Sequence, residues 1–237
     1  MKYQVLLGID SLYENAAPGY SDIQISAILN KAQRRVFNEK KKLFDSNEEI
    51  KRILSPLNRR ANIISGTITK VTGTTYAHLN GEFYLLPVDA AKITEEFVKL
   101  KVSLSPLTYS NPVIVLPITY DYYAKNYDNS FKKPCDKLVW RLDYNTNTVV
   151  DGDESITKYV VELITDGLLE IGDYQISYLK YPSDIVVNTV TTTSQVDCEI
   201  LDKNTQDEIV SEAIKIISGI LSEEGYQVAL NEKNFDI

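Results

Sequence analysis

Histidine occurs once in this chain, at position 78, and cysteine only twice, at 135 and 198. A zinc site takes three or four Cys, His or acidic ligands at short spacing, and no such cluster can be drawn here. Cys135 and Cys198 are expected to remain free thiols, as in proteins made in a reducing cytoplasm. No apolar run approaches the ~18–20 residues that span a bilayer. The opening MKYQVLLGIDSLYEN has too short an apolar stretch for a secretory leader, so a soluble protein made in the cytoplasm is expected. The phosphate-cradling patterns G-x-x-x-x-G-K-[ST] and G-x-G-x-x-G are missing, as is the G-x-S-x-G nucleophile elbow. Basic residues are in deficit, 25 against 33 acidic, for a net charge of -8. A dedicated nucleic-acid binder needs a basic face to release counterions, which this balance does not supply. A mildly acidic wall does suit a conduit past which DNA slides without sticking.

What is present is an ordinary folding composition: 237 residues, 43% hydrophobic and 24% charged. That length suffices for one large domain or two modest ones. Helical signals lie at both ends. Residues 2–15 read as a short amphipathic helix, broken by Pro18-Gly19. Ser21 with Gln24 forms a capping box, followed by Ile25, Ile28, Leu29, Ala32 and Val36 at helical spacing. Ser46 with Glu49 repeats the box ahead of Ile50, Ile53, Leu54 and Leu57, with Pro56 as the stop. Thr205 with Glu208 gives a third, before Ile209, Ala213, Ile216, Ile217, Ile220 and Leu221, and Gly225 is the expected end.

Between the ends the period changes to two. Ala61–Thr69 is rich in β-branched residues, Phe83–Leu86 is a short apolar run, and Phe97–Val102, Leu138–Leu142, Tyr159–Leu163 and Tyr174–Tyr178 alternate. A short helix interrupts them, with Thr119 as N-cap, Ile118 stapled to Tyr123, and Tyr120, Tyr123 and Tyr127 on one side. The fold class is therefore α+β. Residues 1–58 and 200–229 form a small helical bundle, 59–182 an inserted antiparallel β-barrel or sandwich, and 183–199 an extended arm or loop.

Candidate chemistry is sparse. His78 lacks a neighbouring nucleophile and reads as a surface or turn histidine. Asp151-Gly152-Asp153-Glu154 does not complete a calcium-loop spacing and reads as an acidic β-turn. A glycosidase carboxylate pair has no specific signal among so many acids. No catalytic residue, metal or cofactor is expected. Sixteen tyrosines are a heavy load, and tyrosine is favoured at protein contacts. Strand-core positions account for about half of them on this reading. Tyr109, Tyr120, Tyr122, Tyr123 and Tyr127 crowd one region, and Phe131-Lys132-Lys133-Pro134 has the shape of a docking loop. With Tyr178 and Tyr181 they form the expected interface. Lys31, Arg34, Arg35, Arg59 and Arg60 read as solvated faces or as a basic patch meeting an acidic neighbour or DNA.

Several stretches share one resemblance. Leu12-Tyr13, Asn15–Tyr20 and Asn30-Lys31-Ala32-Gln33 are similar to the opening of a virion protein family of crAss-like bacteriophages. Thr119–Tyr123, Phe131–Pro134 and Trp140-Arg141-Leu142 resemble its middle, and Tyr178–Pro182, Cys198-Glu199-Ile200 and Asp207–Val210 its end. Tyr181 departs from it, standing where a basic residue is more usual. The resemblance implies a ring-forming protein of the head-to-tail junction, with the portal's twelve-fold symmetry and a layout like podovirus tail adaptors. Its partners would be further copies of itself, the portal, adjacent ring or tail proteins, and passing DNA. A tail-tube or tail-hub component and a carbohydrate-binding module are the alternatives.

Overall fold

The computed structural model describes residues 4–5, 21–71, 77–104, 107–151, 154–187 and 197–221. The helix expected over residues 2–15 therefore lies outside them, apart from Gln4 and Val5, as does the stop at Gly225. The chain divides into two compact units, Met1–Leu57 with Pro182–Ile237, and Asn58–Tyr181. Four α-helices are bounded within the described residues, α1 (Asp22–Leu43), α2 (Glu48–Leu54), α3 (Tyr120–Asn126) and α4 (Lys203–Leu221), and a 3-10 turn, Ser55–Leu57, follows α2.

In the first unit α1 starts at the expected capping box, Ser21 N–H donating to Gln24 Oε1 at 2.9 Å and Gln24 N–H to Ser21 Oγ at 3.3 Å. Its stripe of Ile25, Leu29, Ala32 and Val36 is buried together with Gln33 and Phe37. Two other starts are shifted. Asn47, not Ser46, caps α2, its Oδ1 accepting from Glu49 and Ile50 N–H. Ser46 Oγ instead donates back to Leu43 O. Asp202, not Thr205, caps α4, its Oδ2 accepting from Thr205 N–H at 2.8 Å and Oγ1 at 2.7 Å. Those two bonds hold the Asp202 carboxyl below its ordinary value. In each case a neighbouring side chain with a free oxygen outcompeted the pattern residue. The α4 stripe of Ile209, Val210, Ala213, Ile216 and Ile217 is buried, and α4 packs on α1. Ion pairs Arg35–Glu212 (2.9 Å) and Lys40–Glu208 (2.8 Å) run in opposite sequence directions, so the helices are antiparallel.

The first residues of the expected arm are tied to α1. Asn30 Nδ2 donates to Ile185 O and Oδ1 accepts from Ile185 N–H, Gln33 Nε2 donates to Ser183 O, and Ser26 Oγ accepts from Val187 N–H. Residues 188–196 lie outside the described set.

The second unit is one mixed nine-stranded sheet: β1 (Asn58–Asn62), β2 (Thr69–Val71), β3 (Gly81–Leu85), β4 (Ala90–Leu104), β5 (Leu107–Tyr109), β6 (Val113–Ile118), β7 (Leu138–Asp151), β8 (Glu154–Ile164) and β9 (Ile171–Lys180). The order is β1-β9-β4-β6-β7-β8-β3-β2, with β5 beside β4. The two edge strands β1 and β2 are joined by residues 63–68 only, a connection that reaches ~20 Å at most. The sheet must curl to let that happen, and Ile68 N–H donates to Asn62 O across the seam. Three register shifts along β4/β9 supply bends of the kind that curl a sheet. The expected single strand over Ala61–Thr69 is thus two short strands around a turn. There Asn62 Oδ1 accepts from Ser65 N–H and Gly66 sits at φ 74.

The antiparallel expectation fails at one pair: β6 and β7 run parallel, Ile114 opposite Leu138 through Ile118 opposite Leu142. Parallel neighbours need a crossover, and residues 119–137 supply one containing α3. The crossover sets up two cores. Val98, Leu100, Val113, Val115, Val139, Leu163, Tyr174 and Ile176 fill the first, while Trp140, Leu142 and Ile164 form a second with α3 residues Tyr122 and Tyr123. Asp151 pairs with Glu154, so the chain reverses at the acidic segment read as a β-turn. Its residues 152–153 lie outside the described set.

Candidate assembly interface

The tyrosine-rich helix is a lid over one tryptophan. Thr119 Oγ1 accepts from Tyr122 N–H at 3.2 Å and fixes the start of α3. Tyr122 and Tyr123 are half-buried and meet Trp140 edge-to-face, centroids 5.7 and 6.1 Å apart. Trp140 is wholly buried. Tyr120 crosses Tyr144 at 5.7 Å, and Tyr123 stacks on Tyr127 at 5.9 Å. Two of these helix rings therefore serve the fold, while Tyr120 and Tyr127 keep much of their surface in water.

The chain then turns through a loop that is ordered by one asparagine. Asn129 Oδ1 accepts from Phe131 N–H, and its carbonyl accepts from Lys132 and Lys133 N–H. Pro134 is buried, and Cys135 and Leu138 exchange two main-chain hydrogen bonds at the root of β7. The result is a braced loop whose tip, Phe131, is 100% exposed, flanked by exposed Lys132 and Lys133.

Beside α3 the lone histidine has a partner that spacing did not reveal. Glu162 is fully buried on β8, and its carboxylate accepts from His78 N–H (2.6 Å) and Tyr144 O–H (3.0 Å). His78 Nδ1 lies 2.7 Å from the same carboxylate. The His78 ring lies 4.2 Å from that of Tyr123. His78 does occupy a turn, its carbonyl accepting from Gly81 N–H, but its ring is half-buried rather than on the surface. Burial, and then Glu162, push the Tyr123 phenol upward; burial, Tyr120 and Glu162 do the same to Tyr144. A carboxylate placed in this way holds loop, strand and lid together. It also leaves no room at Gly81, where a Cβ would meet Glu162 Oε1 at 2.0 Å. Gly81→Ala is expected to cost ~1–3 kcal/mol, because Glu162 must abandon bonds it cannot replace with water. Urea unfolding followed by the fluorescence of the single tryptophan measures it.

The other expected interface residues are scattered. Tyr178 is core, 6% exposed, its hydroxyl donating to Asp89. Tyr181 is half-exposed at the end of the β unit, its N–H donating to Asp89 O. Tyr109 lies on β5, against Gly172. In the basic set, Arg34 pairs with Asp184 and Arg35 with Glu212 inside the helical unit. Lys31 lies with them beside a groove of α1, while Arg59 and Arg60 belong to β1 of the other unit. Sequence reasoning missed Ile114 (68% exposed) and Leu116 (36%), which alternate with buried Val113 and Val115. The alternation was legible, but Pro117 obscured the strand.

The interior also holds a cluster of charged groups. Arg141 and Glu96, each about one-tenth exposed, pair at 2.7 Å, with Tyr174 O–H on the second Glu96 oxygen and Arg141 Nε 2.9 Å from Asp143. Burial pushes Glu96 up; Arg141 and Tyr174 pull it back. Burial opposes the Arg141 charge, but Glu96 and Asp143 outweigh it and hold the guanidinium cationic. No metal-holding acidic or Cys/His cluster exists among the described residues.

Residues 2–225 match the protein family described as phage tail ring protein 3/4. The chain belongs to that family. It is also similar to "Ring protein 4/5" of Bacteroides phage crAss001, 24% identical over 227 residues, spanning 87% of this chain and 86% of that protein. Membership makes it a bacteriophage virion ring protein, a structural class. The crAss-like resemblance seen in its short motifs holds over nearly the whole length. No described helix is long and apolar enough to cross a membrane.

Proposed function

We propose that copies of this ring protein close around the head-to-tail junction with the portal's twelve-fold symmetry and form part of the DNA conduit. The observation that carries the reading is the braced loop ending in a fully exposed phenylalanine, which follows a helix whose ends expose Tyr120 and Tyr127. Successive copies meet heterologously, one face against the neighbour's other face, as closed rings require. The helical unit docks on the portal or on an adjacent ring. The net charge of -8 suits a lumen that passes DNA without sequence-specific binding. A carbohydrate site on the tyrosine helix is less well supported, because Tyr122 and Tyr123 are turned onto Trp140. Electron microscopy of the purified protein mixed with its portal tests the proposal. Rings stacked on portal particles are expected; rings that join only tail-tube or hub proteins would move the chain down the tail.

A further inference from the structure

We infer that Phe131 of one copy plugs a groove on the β unit of the next copy, an inference that rests on the ring reading above. The groove lies across β1, β9 and β4, has a volume of about 380 Å³ and is lined by Arg60, Asn62, Glu95, Phe97, Gln175 and Ser177 among others. That volume is at the low end of sites that enclose a small ligand (~300–1,000 Å³) and is ample for one phenyl ring. Its polar walls surround an aromatic surface, Phe97, which offers the inserted ring an offset or edge-on partner. Arg60 on the wall supplies a guanidinium for the ring face.

Three features of the molecule choose a second copy as the occupant. Phe131 is wholly exposed, so it does not fill the groove of its own chain. Its flanking Lys132 and Lys133 meet a groove in which the carboxylate of Glu95 balances the guanidinium of Arg60, so no net positive charge opposes them. Another groove, on α1, sets Lys31, Arg34 and Arg35 against the single carboxylate of Asp184, and its net positive charge repels the same lysines. A knob on one surface and a complementary hole on another of the same unit make a heterologous contact, which repeats from copy to copy until a ring closes. The knob is already rigid, since Asn129 fixes its main chain and Pro134 with the Cys135/Leu138 bridge fixes its root. Little ordering entropy is then lost on docking.

The test compares the wild-type protein with Phe131→Ala, and separately with Phe131→Cys combined with Gln175→Cys in a Cys135→Ser background, using native mass spectrometry and non-reducing gels. Phe131→Ala removes no internal contact, so its melting curve should match the wild type while self-association weakens by about thirtyfold or more. The double-cysteine protein should give a ladder of disulfide-linked oligomers that neither single variant gives. Wild-type rings with undiminished Phe131→Ala rings overturn this contact and leave the ring reading standing. Loss of rings in Phe131→Ala without any ladder overturns the groove as the acceptor. A wild-type chain that stays monomeric alone and with its portal removes the ring reading, and the inference falls with it.

Discussion

Arg141→Ala is expected to destabilise the β unit by ~3–5 kcal/mol, the usual cost of stripping one partner from a buried ion pair. Burial sets this cost. The Arg141 side chain is 9% exposed and Glu96 10%, so both were removed from water when the sheet curled. Their mutual contact and the Tyr174 hydroxyl replace that lost hydration. Without the guanidinium, Glu96 keeps one donor and stays buried. Burial already pushes its carboxyl upward, and the loss of Arg141 removes the largest opposing pull. The pH dependence follows in sign. A carboxyl whose folded-state value lies above its unfolded value of about 4.3 stabilises the fold at pH below that unfolded value, and this contribution disappears as pH rises through the folded value. The Arg141→Ala defect should therefore be largest at neutral pH and shrink on acidification. Replacing both partners, Glu96→Leu with Arg141→Met, is expected to recover most of the loss, since no charge is then left buried. Urea unfolding read through Trp140, which lies in the same unit, separates these variants; an equal loss in the single and the double would show that the pair's charge is not what matters.

That pair also marks where sequence reading stopped. Leu138, Trp140 and Leu142 alternate against Val139 and Arg141, and alternation by itself says only that two faces differ. Here both faces are covered, one by the curled sheet and the other by α3, and nothing local in the sequence reports the second cover. The same limit explains Glu162, whose partner His78 is 84 residues away. A single Glu inside the run Tyr159-Val160-Val161-Glu162-Leu163-Ile164 was the available signal that a buried carboxylate needed a donor. Helix starts were legible wherever one oxygen faced one N–H, as at Ser21 and Thr119. They slipped where Asn47 and Asp202 offered competing oxygens next to the pattern residue. The parallel β6/β7 pair was not legible, because the crossover length permits it without requiring it. The exposure of the Phe131 loop has a different origin: Phe131 beside two lysines has no periodic place in any strand or helix, so nothing calls for its burial.

Trp140→Ala is expected to cost ~3–5 kcal/mol as well, and to harm assembly beyond its effect on folding. Trp140 is 0% exposed and is the floor on which Tyr122 and Tyr123 rest. Deleting it opens a cavity directly beneath a helix of only seven residues, too short to persist without packing. Tyr120 and Tyr127 are carried by that helix, and the Asn129 turn begins where it ends, since Asn129 N–H donates to Asn126 O. Loosening α3 therefore loosens the whole apolar surface, Phe131 included. Trp140→Phe keeps an edge for both tyrosines and removes an indole N–H that has no acceptor among the described residues, so its cost should be smaller, ~1 kcal/mol or less. Amide hydrogen exchange distinguishes the two effects. In Trp140→Ala, amides of α3 and residues 127–135 should lose protection at urea concentrations where β4 and β9 still hold theirs, and ring formation should fail in that same range. If instead every strand loses protection together with α3, Trp140 stabilises the sheet as a whole, and the lid has no separate part in presenting the interface.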